Sequence, residues 1–163
     1  MCSSDLCLVD AGYTVVSGLA AGIDTVVHRA ALERRGRTIA VLGNGLVHCY
    51  PSQNAQLQRR IECEGAVVSQ FLPSTRPSRR SFPARNAVMS GLTLASVIVE
   101  ASATSGTRVQ ARSALSQGRR VLLMKGLLVN DWARELAGRD GVEVLDSAAA
   151  VVGALEPRRS AAA

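Results

Sequence analysis

Tyr13-Thr14-Val15-Val16-Ser17-Gly18-Leu19-Ala20-Ala21-Gly22-Ile23-Asp24 is the stretch that decides the fold class of this chain. An apolar, β-branched run ends in small residues and glycine. A helical pattern follows, with Asp24 as its expected N-cap, running to about Arg35 and ended by Gly36. A second apolar run, Thr38 to Leu42, then stops at Gly43-Asn44-Gly45. Strand, glycine-rich turn, helix and strand make up the βαβ unit of a parallel sheet.

The same alternation continues along the chain. Ala66 to Ser69, Ser96 to Glu100, Arg120 to Met124 and Val142 to Leu145 read as further strands. One intervening helix starts after Pro51-Ser52 and ends at Gly65. Another starts near Pro83, and a third covers Val109 to Gln117 before Gly118. The expected architecture is a doubly wound, mostly parallel, Rossmann-like α/β sheet. Hydrophobic residues make up 47% of the chain and aromatics only 3%, a palette of Val, Leu, Ala and Ile that suits buried parallel strands under helices. With 163 residues the reading is one core domain over 8–156, an atypical start over 1–7 and a disordered tail over 157–163. Leu72 to Ser81, rich in Pro, Ser and Thr, reads as a loop.

In such a sheet the binding crevice lies beyond the carboxyl ends of the strands. Three turns rich in glycine or small polar residues fall there: Ser17 to Gly22, Gly43 to Gly45 and Ser102 to Thr107. Backbone N–H groups in turns of this kind can cradle an anion at a helix start. Ser17, Gly18, Gly43, Ser105, Gly106 and Thr107 are the candidate phosphate-binding loop residues. Neither G-x-G-x-x-G nor G-x-x-x-x-G-K-[ST] occurs, so a dinucleotide enzyme and a P-loop NTPase are disfavoured.

Charge points to a partner. The formal net charge is +6, and every basic residue except Lys125 is Arg, whose planar fork grips phosphate. Between Gly65 and Val99 there is no acidic residue, while Arg76, Arg79, Arg80 and Arg85 cluster around Phe82. Arginines that neutralise phosphates, beside an aromatic face on which a base stacks, suit a single-stranded nucleic acid. A solvated loop anchored by its Phe is the plainer alternative, and composition alone leaves both open.

Other chemistry finds little support. Ser17, Asp24 and His28 are near in sequence, but no G-x-S-x-G elbow surrounds any Ser. His48 and Cys49 are adjacent, and chain neighbours seldom point at one another. Cys2, Cys7, Cys49 and Cys63 lack C-x-x-C or His companion spacing, so neither a metal nor a disulfide framework is expected. No apolar run approaches the ~20 residues of a membrane span. The expectation is a cytoplasmic protein with no catalytic residue, no cofactor and no membrane partner.

Several segments together resemble the DNA-processing protein A (DprA/Smf) family. They are Ser17-Gly18-Leu19-Ala20-Ala21-Gly22-Ile23-Asp24 with His28, Thr38-Ile39-Ala40-Val41-Leu42-Gly43, Tyr50-Pro51, Phe82-Pro83-Ala84-Arg85-Asn86 and Val99-Glu100-Ala101 with Ser105-Gly106. They follow the family's order over about residues 8–125. The resemblance implies an extended Rossmann fold, single-stranded DNA bound in a basic pocket, a recombinase partner during natural transformation, and a homodimer. It assigns DNA contact to Arg79, Phe82, Arg85 and Asn86. It further implies that a strand with a Gly-Ser/Thr-Arg turn precedes Leu8-Val9-Asp10-Ala11-Gly12 in relatives, so the N-terminal strand, an edge of the sheet and a wall of the pocket, is expected to be missing. Ala21, Gln70, Ala87 and Met124-Lys125-Gly126 depart from the family pattern. The enzymatic alternative is a nucleoside-monophosphate phosphoribohydrolase. That group carries P-G-G-x-G-T-x-x-E, whereas Ala103 to Gln110 lacks its Glu. A paralogue that binds only a protein partner is the third reading.

Overall fold

The computed structural model describes residues 4–101 and 106–156. Helix α1 (Ser4–Asp10) leads into strand β1 (Val15–Ser17), followed by α2 (Ile23–Glu33), β2 (Thr38–Val41), α3 (Ala55–Glu64) and β3 (Ala66–Val68). The second half runs α4 (Ser81–Leu92), β4 (Ala95–Ile98), α5 (Thr107–Ser116), β5 (Arg120–Met124), α6 (Asp131–Ala137), β6 (Val142–Leu145) and α7 (Ala150–Leu155). All strand pairs are parallel. The six strands foreseen from the apolar runs are present, and residues 72–80 form the loop. Helix α1 lies in what the sequence reads as an atypical start, and α6 and α7 were not foreseen; all three are short and carry little periodic signal.

Strand β5 illustrates why near-continuous apolar runs mark this fold. It lies between β4 and β6, and Val121, Leu122 and Leu123 are all fully buried. Alternate side chains leave opposite faces. Val121 and Leu123 pack with Ala111 and Ala114 of α5 and Ala133 and Leu136 of α6, while Leu122 packs with Leu145 and with Val151 of α7. Both faces being covered, no polar alternation is tolerated.

One expectation is refined. The strands form two three-stranded sheets, in the orders β1-β2-β3 and β4-β5-β6, not one continuous sheet. The two grow in sequence order by helical crossovers, and β1 and β4 do not pair with each other. Residues of β1 and of β4 instead line one cavity of about 560 Å3, together with Leu8 of α1. The interruption therefore falls at the centre of the strand array, and not at an edge as read from the sequence.

A second correction concerns the first helix. Gly22, at φ 90°, is its N-cap, and Asp24 sits inside the first turn. The Asp24 carboxylate reaches backwards to Ala20 N–H and the Ser17 hydroxyl. That bracing of the preceding turn replaces the cap.

Candidate nucleic-acid interface

The carboxyl ends of β1 and β2 form the floor of the site. After Ser17 the chain passes through Gly18 and Leu19, the latter at φ 60° with its side chain fully buried. A left-handed Leu is uncommon, and local bonds hold it. Asn54 Nδ2 donates to Leu19 O at 2.9 Å and to Thr25 Oγ1 at 2.9 Å. The Ser17 hydroxyl donates to Asp24 Oδ1 at 2.7 Å, and Ala20 N–H donates to Asp24 Oδ2 at 3.1 Å. Within this turn the chain's own carboxylate takes donors that a phosphate would require.

Helix α4 lies across that floor. Ser78 and Ser81 exchange backbone-to-hydroxyl hydrogen bonds at 3.0 and 3.2 Å, which closes the turn before the helix. One turn into α4, Arg85 is 7% exposed. Its Nη1 donates to Gly18 O at 2.5 Å and to Val41 O at 3.0 Å, and its Nε donates to Asn86 Oδ1 at 2.9 Å. The guanidinium thus joins the ends of β1 and β2 to α4. Burial pushes its pKa below the ordinary arginine value, with Asp24 acting in the opposite direction. Asn86 extends the link, its Nδ2 donating to Gly106 O at 3.3 Å beside the start of α5.

The aromatic part of the site sits above this bracket. The Phe82 ring lies 5.9 Å from Arg85 Cζ and 5.6 Å, centroid to centroid, from Tyr50. Phe82 is half-buried and Tyr50 exposed. Gly43 allows the ring to settle, since a Cβ there would stand 2.7 Å from Phe82 Cδ1. Arg76, Arg79 and Arg80 are exposed and form no ion pair among the described residues.

The residues singled out from sequence therefore divide. Phe82, Gly43, Arg85, Asn86 and Gly106 are joined through the contacts above, and Thr107 opens α5. Ser17 and Gly18 lie underneath, committed to Asp24 and Arg85. Arg79 stands at the exposed approach to α4. Ser105 lies outside the described residues. Tyr50 is the member that sequence reasoning missed as a site residue: distant in the chain, its only signal was a Tyr-Pro pair within the family resemblance.

Nucleophilic chemistry has no geometry here. Buried His28 places Nδ1 2.7 Å from Thr38 Oγ1, whose hydroxyl also lies 3.0 Å from Val15 O. Burial lowers the imidazole pKa to about 4, with Asp24 opposing. His48 Nε2 instead meets Ser74 O at 3.0 Å. Among the described residues no group of His, Cys, Asp and Glu could hold a metal ion, and no helix is long and apolar enough to cross a membrane.

The sequence profile described as DNA recombination-mediator protein A matches residues 4–156. The chain belongs to that family. DNA recombination-mediator protein A relatives include protein Smf of Synechocystis sp., 48% identical over 107 residues, which is 66% of this chain and 27% of that protein. The DNA processing protein DprA of Bacillus subtilis is 38% identical over 122 residues, covering 75% of this chain and 41% of that protein. The chain thus spans well under half the length of these curated relatives. The X-ray structure of DprA from Streptococcus pneumoniae superposes with a TM-score of 0.79 at 34% identity, over 93% of this chain and 55% of that one. DprA from Helicobacter pylori, at 24% identity and a TM-score of 0.76 over 93% of this chain and 71% of its own, shares the fold. The Rossmann-like α/β class is thereby established, as is the family recognised from the sequence segments.

Proposed function

We propose that this domain binds single-stranded DNA, without catalysis, at the rim formed by the start of α4 and the loops after β1 and β2. The observation that carries the reading is the Phe82–Tyr50 aromatic pair flanked by Arg76, Arg79 and Arg80, exposed arginines that form no ion pair. Bases stack on the aromatic faces, and the arginines neutralise the backbone. In this reading Arg79 and Phe82 contact DNA directly. Arg85 and Asn86 position Phe82 and join α4 to the strands and to α5. Gly43, Gly106 and Thr107 let the backbone approach closely, with Ser17, Gly18 and Ser105 completing the loops.

The family's description as a recombination mediator supports this function. The Helicobacter pylori relative is a single-stranded DNA-binding protein, although its likeness speaks only to fold. By extension, a recombinase and a second copy of the chain are the protein partners, in the cytoplasm during DNA uptake. Fluorescence anisotropy with a labelled unstructured oligonucleotide and a duplex of equal length tests the reading. The single strand should bind more tightly, because stacking needs a free base face, and equal affinity refutes the stacking role.

The phosphoribohydrolase alternative makes a different demand. Gln110 stands where that group has its Glu, and its amide cannot act as a carboxylate. Incubation with nucleoside monophosphates should release no free base. Protein-dependent release abolished by Gly106→Val would establish the enzyme reading instead.

A further inference from the structure

A second basic concavity lies on helices α5 and α6, built by residues the rim does not use. Arg108 and Arg112 are one helical turn apart on α5. Trp132, Glu135 and Leu136 come from α6, and Arg139 follows its end; together these six line a pocket of about 20 Å3. Arg108 Cζ lies 5.7 Å from the centre of the Trp132 ring. Glu135 is the only acid in the lining, and its Oε1 stands 3.3 Å from Arg139 Nη2. Three arginines against one carboxylate leave the concavity strongly positive. Trp132 Nε1 is shielded from solvent and has no hydrogen-bond partner, which is unusual for a buried donor.

The geometry points to a phosphodiester-binding subsite here, continuing the single-strand path away from the rim. The pocket admits one water-sized group, so it suits a single phosphoryl oxygen and not a base or an enclosed monoester. Arginine forks and an indole N–H are donors without acceptor capacity, so the ligand must supply only acceptors, as a phosphodiester oxygen does. Continuity with the rim comes from Asn86, bonded to Gly106 O immediately before α5. A strand leaving Phe82 by that route meets Arg108 first and Arg112 one turn later, about 6 Å further along the helix. The inference rests on the single-strand reading for the identity of its ligand.

Trp132 is the only tryptophan in the chain, so intrinsic fluorescence reports on this site alone. The full chain is titrated with inorganic phosphate and with oligothymidylates of increasing length, and binding is followed separately by anisotropy of a labelled oligonucleotide. Long oligonucleotides should shift Trp132 emission, and the shortest that bind the rim should not. Arg112→Ala should weaken long oligonucleotides about threefold to tenfold, leave short ones unchanged and reduce the salt slope by about 0.7. Arg112→Lys should restore much of the affinity. Oligonucleotide binding with unchanged Trp132 emission and an unaffected Arg112→Ala overturns the subsite while the rim reading stands. A response to inorganic phosphate but not to oligonucleotide identifies an adventitious anion site only and also overturns it. No oligonucleotide binding at all in anisotropy overturns both readings.

Discussion

The Arg85 guanidinium fills the space that a side chain at Gly18 would need: a Cβ built on Gly18 falls directly onto Nη1. Two positions far apart in sequence are therefore one structural unit, a glycine whose bare carbonyl receives a buried arginine. Gly18→Ala should expel Arg85 from its seat and cost about 2–4 kcal/mol, since a hydrogen bond to a charged group is worth about 1.5–3 kcal/mol. Gly126→Ala, with nothing within 4 Å of its Cβ, should be near neutral. Urea denaturation of the two variants compares them. Equal stabilities would show that the Arg85 bracket contributes nothing.

Arg79 and Arg85 should separate in their effects. Arg79→Ala keeps the fold, weakens single-strand binding at every sequence and makes the slope of log affinity against log salt shallower by about 0.7. Arg85→Ala lowers the unfolding midpoint first, by leaving Gly18 O and Val41 O without their donor. Circular dichroism melts run alongside anisotropy distinguish the two. A fully stable Arg85→Ala with a reduced salt slope would make Arg85 a direct phosphate contact.

Phe82→Ala should weaken single-strand affinity by about 1–3 kcal/mol, the range found for base stacking, with little change in salt slope. Tyr50→Ala should act in the same direction and more weakly, and Phe82→Trp should restore binding. Gly43→Ala should mimic a partial loss by lifting the Phe82 ring. Duplex affinity serves as the control, and an equal loss for duplex would argue against stacking.

His28 gives the domain an acid-sensitive core. The unfolded imidazole takes up a proton near its ordinary 6.5, whereas burial holds the folded one to about 4. Stability from this residue is fully present above pH 6.5 and falls as pH drops towards 4, by about 3 kcal/mol in all. Chemical denaturation across that window should show the decline, and His28→Gln should flatten it. An unchanged profile in the variant would assign the acid sensitivity to other groups.

The six strands, the helices α2 to α5 and the turns at the strand ends were legible from the sequence because apolar runs, glycine stops and helical spacing are local signals. The basic segment was legible for the same reason: an acid-free stretch from Gly65 to Val99 with clustered arginines is visible in one dimension. What each arginine does was not, because burial depends on what α4 lies against. Arg85 and Arg79 are six positions apart and alike in sequence, yet one is sealed between two backbone carbonyls and the other stands in water. Tyr50 beside Phe82, Arg108 over Trp132 and the division of the strands at β1 and β4 likewise exist only in three dimensions. Sequence determined which elements form, since backbone propensity and hydrophobic period act over a few residues. Tertiary packing alone decided which polar groups remain free for a ligand, since a donor already bonded inside the fold is unavailable outside it.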